Sequence, residues 1–343
     1  MNAHASTAMK AVVIDEYGEA ETLYVDTVPR PAPGPGEVLV RVHAGSLNPA
    51  DKFLMRGDPW LVRLSYGMRK PRNRVRGQDL SGVVESVGDG VTTFSPGDEV
   101  FGEFDGGALA EYACGPADRL ALKPTRATFE HAAAIPMAGL AALHGIKAAG
   151  VGEGTRLLIN GASGGIGTFA IQLAKAAGAH VTAVCSTHNL ELVTSLGADV
   201  AIDYTKQRVL TTDERYDVIL DNVGNHRIRD WLPLLRGRGT MLPNTGERGP
   251  DGTVVMRLIK AAWHNLVSRH RVGLFASKPN TADLAHLAGL VETGELTIVI
   301  DTMFDLAHTA DAMARLATGH ARGKVVVSVA GATLDRSAGG GTS

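Results

Sequence analysis

R-L-L-I-N-G-A-S-G-G-I-G-T-F-A-I-Q-L-A-K-A-A-G-A, from Arg156 to Ala179, is the stretch that decides how the chain is read. An apolar run, Leu157 to Ile159, meets a glycine cluster at Gly161, Gly164, Gly165 and Gly167. A helical face of Ile166, Phe169, Ala170, Leu173 and Ala177 follows and stops at Gly178. Strand, glycine turn and helix in that order predict the first half of a dinucleotide-binding unit. Gly161 and Gly164 permit the turn and let backbone approach a pyrophosphate, while Gly167 lets helix pack on strand. The diphosphate would rest on free N–H groups at the helix N-terminus, a turn that Ser163, Gly165 and Ile166 share. A glycine-rich string by itself reads equally as a plain turn. Here strand and helix flank it, and a second strand, His180 to Cys185, follows.

The tip of that second strand selects the nucleotide. An Asp or Glu about 20 residues past the glycines usually accepts hydrogen bonds from a bare ribose. Ser186, Thr187, His188 and Asn189 stand there instead, and Glu191 comes later, on the next helix. Two hydroxyls, an amide and an imidazole suit a 2′-phosphate, so the expected cofactor is NADPH. The bland alternative is a cap for the helix Asn189 to Leu196.

At 343 residues the chain is long enough for two domains. Its net charge of −2 gives no global field to collect nucleic acid or anionic membrane. Two cysteines, Cys114 and Cys185, lie far apart with no metal spacing, which points to a reducing compartment. The start M-N-A-H-A-S-T-A has no apolar core, and no run of about 20 apolar residues exists. A cytoplasmic protein is the expectation, with a disordered tail over 332–343.

Outward from the glycine turn, Met9–Asp15, Glu37–Ala44, Leu80–Val87, Glu99–Phe104 and Ala108–Cys114 read as strands, with Gly106-Gly107 as a hairpin signal. Many short strands punctuated by Gly and Pro predict a barrel-like β domain ending near Pro124. A helix is expected over Phe129–Gly139, leading into a helical stretch through Ala148. From Leu157 strands and helices alternate through Val200–Asp203, Asp217–Asp221, Gly239–Leu242 and Val272–Phe275, which predicts a parallel, doubly wound sheet. A helix to Gly294, a strand Leu296–Ile300, a helix Ala307–Thr318 and a strand Lys324–Val329 complete the reading. The α/β organisation expected is therefore residues 1–128, then a nucleotide-binding domain over 129–277, then a return to the first domain over 278–331.

Ordered landmarks now accumulate: P-G-P-G-E-V-L-V-R-V, S-L-N-P-A-D, G-Q-D-L-S-G-V-V-E-S-V-G, G-D-E-V-F-G, G-A-S-G-G-I-G and H-A-R-G-K-V-V-V. Over Lys10 to Ala330 the chain resembles the medium-chain dehydrogenase/reductases, and within them the zinc-independent quinone oxidoreductase (zeta-crystallin-like) branch. The resemblance implies a GroES-like β-barrel domain plus a Rossmann domain, with the active site between them. Zinc-dependent members carry cysteine and histidine where this chain has Asn48 and Gln78, neutral amides of little zinc affinity, so no metal is expected. Without a Lewis acid for an alkoxide, the favoured acceptor is one that already delocalises charge, a quinone or an α,β-unsaturated carbonyl.

The resemblance places Asn48 at the nicotinamide as donor and orienter, with a loop cap as its alternative. Asp51 matches a family position and reads equally as a helix-start carboxylate. A tyrosine common in the family is Phe53 here, in the substrate pocket, leaving Tyr66 as a candidate proton donor. Tyr204 matches an aromatic near the adenosine phosphate, Asn222 and Val223 pass the nicotinamide ribose, and Phe275 with Ala276 meets the carboxamide. Lys324 matches a basic residue that approaches the 2′-phosphate, and Asn244 and Thr245 join the pocket. Family dimers join sheet edges, so Val272–Phe275 is the expected homodimer edge. A basic loop, Arg63 to Arg76, is either a solvated surface or an attraction for an anionic substrate. Two other functions stay open, an enoyl-thioester or tailoring reductase on the same fold and an NADPH-binding protein without turnover.

Overall fold

The glycine turn lies at the centre of a six-stranded parallel sheet in a computed structural model that describes residues 7–60, 62–244 and 249–329. Seven strands precede that sheet: β1 Ala8–Val13, β2 Tyr24–Pro29, β3 Glu37–Leu47, β4 Asp79–Val87, β5 Glu99–Glu103, β6 Tyr112–Pro116 and β7 Leu120–Leu122. The parallel sheet comprises β8 Arg156–Asn160, β9 His180–Cys185, β10 Val200–Asp203, β11 Tyr216–Asp221, β12 Leu235–Pro243 and β13 Arg271–Val272. The chain then returns with β14 Ile300–Asp305 and β15 Lys324–Ser328.

Strand order in the parallel sheet is β10-β9-β8-β11-β12-β13, which is the doubly wound 3-2-1-4-5-6 order counted from β8. Leu157, Leu158 and Ile159 are fully buried because helices cover both faces, which explains their unbroken apolar run. The other sheet runs β14-β15-β3-β4-β5-β7. Long strand β3 divides one of its edges between two partners, β6 along Glu37–Arg41 and β15 along Ala44–Leu47. That arrangement brings the chain's last strand beside Asn48. Ten helices are described: α1 Pro49–Arg56, α2 Val62–Tyr66, α3 Phe129–Ala133, α4 Pro136–Ala149, α5 Gly165–Ala176, α6 Leu190–Ser195, α7 Ile228–Trp231, α8 Val254–Val267, α9 Thr281–Thr293 and α10 Thr309–Ala317.

Several boundaries differ from the sequence reading. The helix expected over Phe129–Gly139 is broken into α3 and α4, because Pro136 cannot continue the first hydrogen-bond ladder and starts the second. Gly106-Gly107 makes no hairpin: β5 pairs β4 and β7, while β6 pairs β3. The strand expected at Leu296–Ile300 forms instead at Ile300–Asp305, and Val272–Phe275 shortens to Arg271–Val272. Strand β13 is nevertheless the open edge of its sheet. Helix α2 had no counterpart in the sequence reading, whereas α1 and α8 stand where a helix-start carboxylate at Asp51 and the strand–helix alternation imply a helix. The expected disordered tail lies outside the described residues.

Candidate active site

Glycines shape the phosphate turn as their positions require. Gly161 has φ +76, and a Cβ there would stand 2.7 Å from Val223 Cγ2. A Cβ on Gly167 would stand 2.3 Å from the Gly161 carbonyl oxygen. Gly164 would meet nothing nearer than 3.6 Å, which leaves space in front of the turn. The first-turn N–H groups of Gly165, Ile166 and Gly167 have no intrahelical acceptor and face that space. Two buried amide atoms close by lack partners, Asn189 Oδ1 and Asn222 Nδ2. Open backbone donors and orphaned polar atoms along one path are what a dinucleotide would satisfy, so the residues present fit that group.

Asn189, read as an amide suited to a 2′-phosphate, is instead turned toward the phosphate turn. Its Nδ2 donates to Ser163 Oγ at 3.0 Å and Ser186 Oγ at 3.1 Å, tying the phosphate turn to the tip of β9. Thr187 is less free than expected. Its hydroxyl donates to Asp203 Oδ2 at 2.5 Å and lies 3.0 Å from Thr205 Oγ1. A carboxylate does therefore stand near the tip, but it comes from β10, one strand over, where spacing along β9 cannot reveal it. The Thr187 hydroxyl, outweighing partial burial, holds the Asp203 carboxyl below the usual range. His188 and Tyr204 are exposed beside it. At the carboxyl ends of β8, β11 and β12, Asn160 Nδ2 donates to Asp221 Oδ1 at 2.8 Å. Asn244 Nδ2 donates to Asn222 Oδ1 at 2.9 Å. Phe275 turns its ring toward α4 at Gly145, and Ala276 is exposed. Thr245 lies outside the described residues.

The second half of the site is a buried polar cluster where the two sheets meet. Gly323 donates its N–H to the Ser163 carbonyl at 2.8 Å, which docks the start of β15 on the phosphate turn. Lys324 follows, and its placement corrects the expectation of a phosphate contact. It is 2% exposed, with Nζ bonded to Asn48 Oδ1, to the Leu47 carbonyl at 3.2 Å and to Asp79 Oδ2 at 3.3 Å. Asp79, wholly buried, also accepts from Asn48 Nδ2 at 2.8 Å, Ser46 Oγ at 3.0 Å and the Met137 N–H at 3.2 Å. A buried carboxylate needs a counter-charge, and Lys324 supplies it. The Asn48 amide is thereby clamped at both ends, by an ammonium on its oxygen and a carboxylate on one N–H.

Asp51 adds a second charge to the cluster. One oxygen accepts the Asn48 N–H at 2.8 Å, so it caps the start of α1, yet it is also buried beside Asp79. Burial, reinforced by the Asp79 charge, pushes its carboxyl up to about 7 against the Asn48 N–H, Lys324 and Arg76. Burial likewise raises Glu103, with Asp79 and Asp51 as neighbours. Arg76 is buried facing Asp51, and burial depresses its pKa. Tyr66, half-buried, has its hydroxyl pushed up by burial near Asp105 and Glu103. Gln78 Oε1 is buried without a partner. Phe53 is partly exposed on α1. The fold absorbs half of the basic loop: Arg74 pairs with Asp15 at 2.6 Å, Arg63 donates to the Gly57 carbonyl at 2.9 Å, and Arg76 is interior. Among the described residues no group of three or more His, Cys, Asp or Glu is placed to hold a metal ion.

A doubly wound nucleotide sheet joined to a β domain by a buried polar cluster defines an oxidoreductase that uses NAD(P)H. The chain belongs to the medium-chain dehydrogenase/reductase superfamily, among its quinone oxidoreductase relatives. The family model for the alcohol dehydrogenase GroES-like domain matches residues 34–125, and that for the zinc-binding dehydrogenase matches 196–327. The human mitochondrial NAD(P)H oxidoreductase RTN4IP1 is 37% identical, over 94% of this chain and 90% of its own. A chloroplast envelope quinone oxidoreductase homolog of Arabidopsis thaliana is 32% identical over 94% and 99%. The 2-methylene-furan-3-one reductase of Solanum lycopersicum is 34% identical over 93% and 79%. Among solved structures, the quinone oxidoreductase from Coxiella burnetii superposes with TM-score 0.83 at 31% identity, covering 94% of this chain and 99% of that one.

The RTN4IP1 and chloroplast quinone oxidoreductase relatives, named as mitochondrial and chloroplastic, overturn the cytoplasmic expectation. The signal behind that expectation was weak. Two unpaired cysteines and a near-neutral charge suit a reducing organelle interior as well as cytosol.

Proposed function

We propose that the protein is an NADPH-dependent reductase that delivers hydride to a quinone or an α,β-unsaturated carbonyl without zinc. The observation that carries this reading is the clamped Asn48 amide. Where the zinc-dependent relatives would have a thiolate, this chain has a neutral amide whose oxygen already faces the Lys324 ammonium. A cation beside that oxygen disfavours a second one. The dihydronicotinamide, when bound, supplies the hydride. Asn48 has one N–H engaged by Asp79, and its second N–H is the donor for the acceptor oxygen as charge develops there. Lys324 and Asp79 are positioning residues in this scheme. Asp51, whose carboxyl is pushed up to about 7, is the proposed proton source, with solvent delivering the proton to the product and Tyr66 as the alternative donor.

The same proposal assigns the diphosphate to Gly161, Ser163, Gly164, Gly165, Ile166 and Gly167. It assigns the 2′-phosphate to Ser186, His188 and Tyr204, with Thr187 holding the Asp203 charge away, and the nicotinamide end to Asn222, Val223, Phe275 and Ala276. Phe53 and Asn244 border the acceptor. Residues 1–128 with 278–331 form the catalytic domain and 129–277 the nucleotide domain. Two copies pair through the β13 edge. A mycobacterial structure solved with NADPH supports the cofactor assignment, at TM-score 0.79 and 25% identity. The named quinone and furanone reductases support the acceptor class.

The test is loss of NADPH absorbance with a benzoquinone, a naphthoquinone, an enal, an enoyl-CoA and a saturated aldehyde, with NADH in parallel. Chelator-resistant turnover of the conjugated acceptors, faster with NADPH, is expected. Chelator-sensitive turnover of the saturated aldehyde would refute the proposal.

A further inference from the structure

Helix α8 is turned inside out. Its inward face carries Arg257, 5% exposed, and Lys260, whose Nζ reaches Asp251 Oδ1 at 2.9 Å. Its outward face carries Met256, Ile259, Trp263 and Leu266, at helical spacing and 47%, 58%, 61% and 82% exposed. Soluble helices do the reverse, and a contiguous apolar stripe of this kind marks a docking surface. Val255, Leu258 and Val267 widen the stripe.

Charge tells what covers it. From Gly252 to Ala282 the chain has no Asp or Glu. Just past the helix, Arg269 and Arg271 are exposed, and Arg238 lies at the same end of the sheet, where β12 pairs with β13. Among the described residues none of these three guanidinium groups is in an ion pair or side-chain hydrogen bond. A second copy laid face to face on this helix would set Arg269 against cations with no acid to meet them, so the edge-to-edge pairing through β13 proposed above leaves the outer face of α8 uncovered. An anionic headgroup layer over an apolar interior matches both parts, and Trp263 has the amphipathic ring that such interfaces favour. The near-neutral total charge hides this local asymmetry.

The helix also begins beside the nucleotide site. The loop leading into it lies so close to the Gly224 carbonyl that a Cβ on Gly249 would be 2.4 Å from that oxygen. Gly224 follows the Asn222–Val223 corner. We propose that the outer face of α8 docks on an anionic lipid bilayer and so presents the hydride site to a lipid-soluble quinone. The docking stands on the helix alone, whereas the quinone rests on the function proposed above.

Co-sedimentation of the full chain with vesicles tests the docking. Phosphatidylcholine vesicles are compared with vesicles that also contain phosphatidylglycerol, at low and high salt. Tighter, salt-sensitive binding to the mixed vesicles is expected, with a blue shift of tryptophan emission that Trp263→Phe abolishes. The variant Ile259→Ser/Leu266→Ser should lower the bound fraction about tenfold, because it strips apolar area from the docking face. It should leave NADPH oxidation by a soluble benzoquinone unchanged. No binding of the unaltered chain to mixed vesicles would overturn the proposal. So would undiminished binding of the double variant, or a dimer seen by light scattering that the double variant dissociates. Vesicle binding without quinone turnover would uphold docking and count against the proposed activity.

Discussion

Asn48 is the residue on which the proposed chemistry turns, and its environment is more charged than its own chemistry suggests. Lys324, Asp79 and Asp51 surround one neutral amide, all buried. Ionising Asp51 in the folded chain is costly, because burial and the Asp79 charge push its carboxyl up to about 7 from an ordinary 3.8. The folded state therefore binds the Asp51 proton more tightly than the unfolded state does. Stability from this group is full below pH 3.8 and is lost as pH rises through 7. At about 1.4 kcal/mol per unit over the roughly three units between 3.8 and 7, the loss is on the order of 4 kcal/mol. Asp51→Asn keeps an oxygen for the Asn48 N–H and removes the titration. Its melting temperature relative to the unaltered protein should rise between pH 5 and pH 8, as scanning calorimetry would record, and a pH-independent difference would contradict the assignment. Sequence marked Asn48, Asp51 and Lys324 but misplaced the lysine's partner. Lys324 and Asn48 are 276 positions apart, and their contact arises only when β15 pairs with β3.

At the scale of the element, the phosphate turn was the most legible part, because each glycine answers a local steric demand. Gly167 illustrates it: a Cβ would run into the Gly161 carbonyl with no flexible side chain to yield. Gly167→Ala should force α5 away from β8, weaken NADPH binding by at least about tenfold and lower stability by roughly 1–3 kcal/mol, the usual cost of overpacking. Fluorescence titration with NADPH and thermal denaturation would check both, and unchanged affinity would show that the turn is not the phosphate site. Elements without a local signature were missed. The alternation of strands and helices implies α8, but its outward apolar face was not legible, because apolar and basic residues alternate along it without marking which side is buried. Asp203 was invisible for another reason: it reaches Thr187 across strands, and sequence spacing follows only one strand.

Across the whole molecule, two layers were readable from composition and rhythm alone: short punctuated strands first, then alternating strands and helices. Their junction was not readable, since Gly323 on Ser163, Met137 on Asp79 and Lys324 on Asn48 join segments far apart in the chain. Compartment was not readable either, and relatives corrected it. Direct, metal-independent hydride transfer to a conjugated acceptor, assembled at that junction, is the chemistry proposed for the protein. The most direct test uses chelator-stripped protein, without oxygen, with NADPH deuterated at C4 on one face or the other and an enone acceptor. Full turnover is expected, with deuterium at the β-carbon of the product from one face only. Turnover that vanishes with the chelator and returns with zinc, or a product carrying no label from either face, would contradict it.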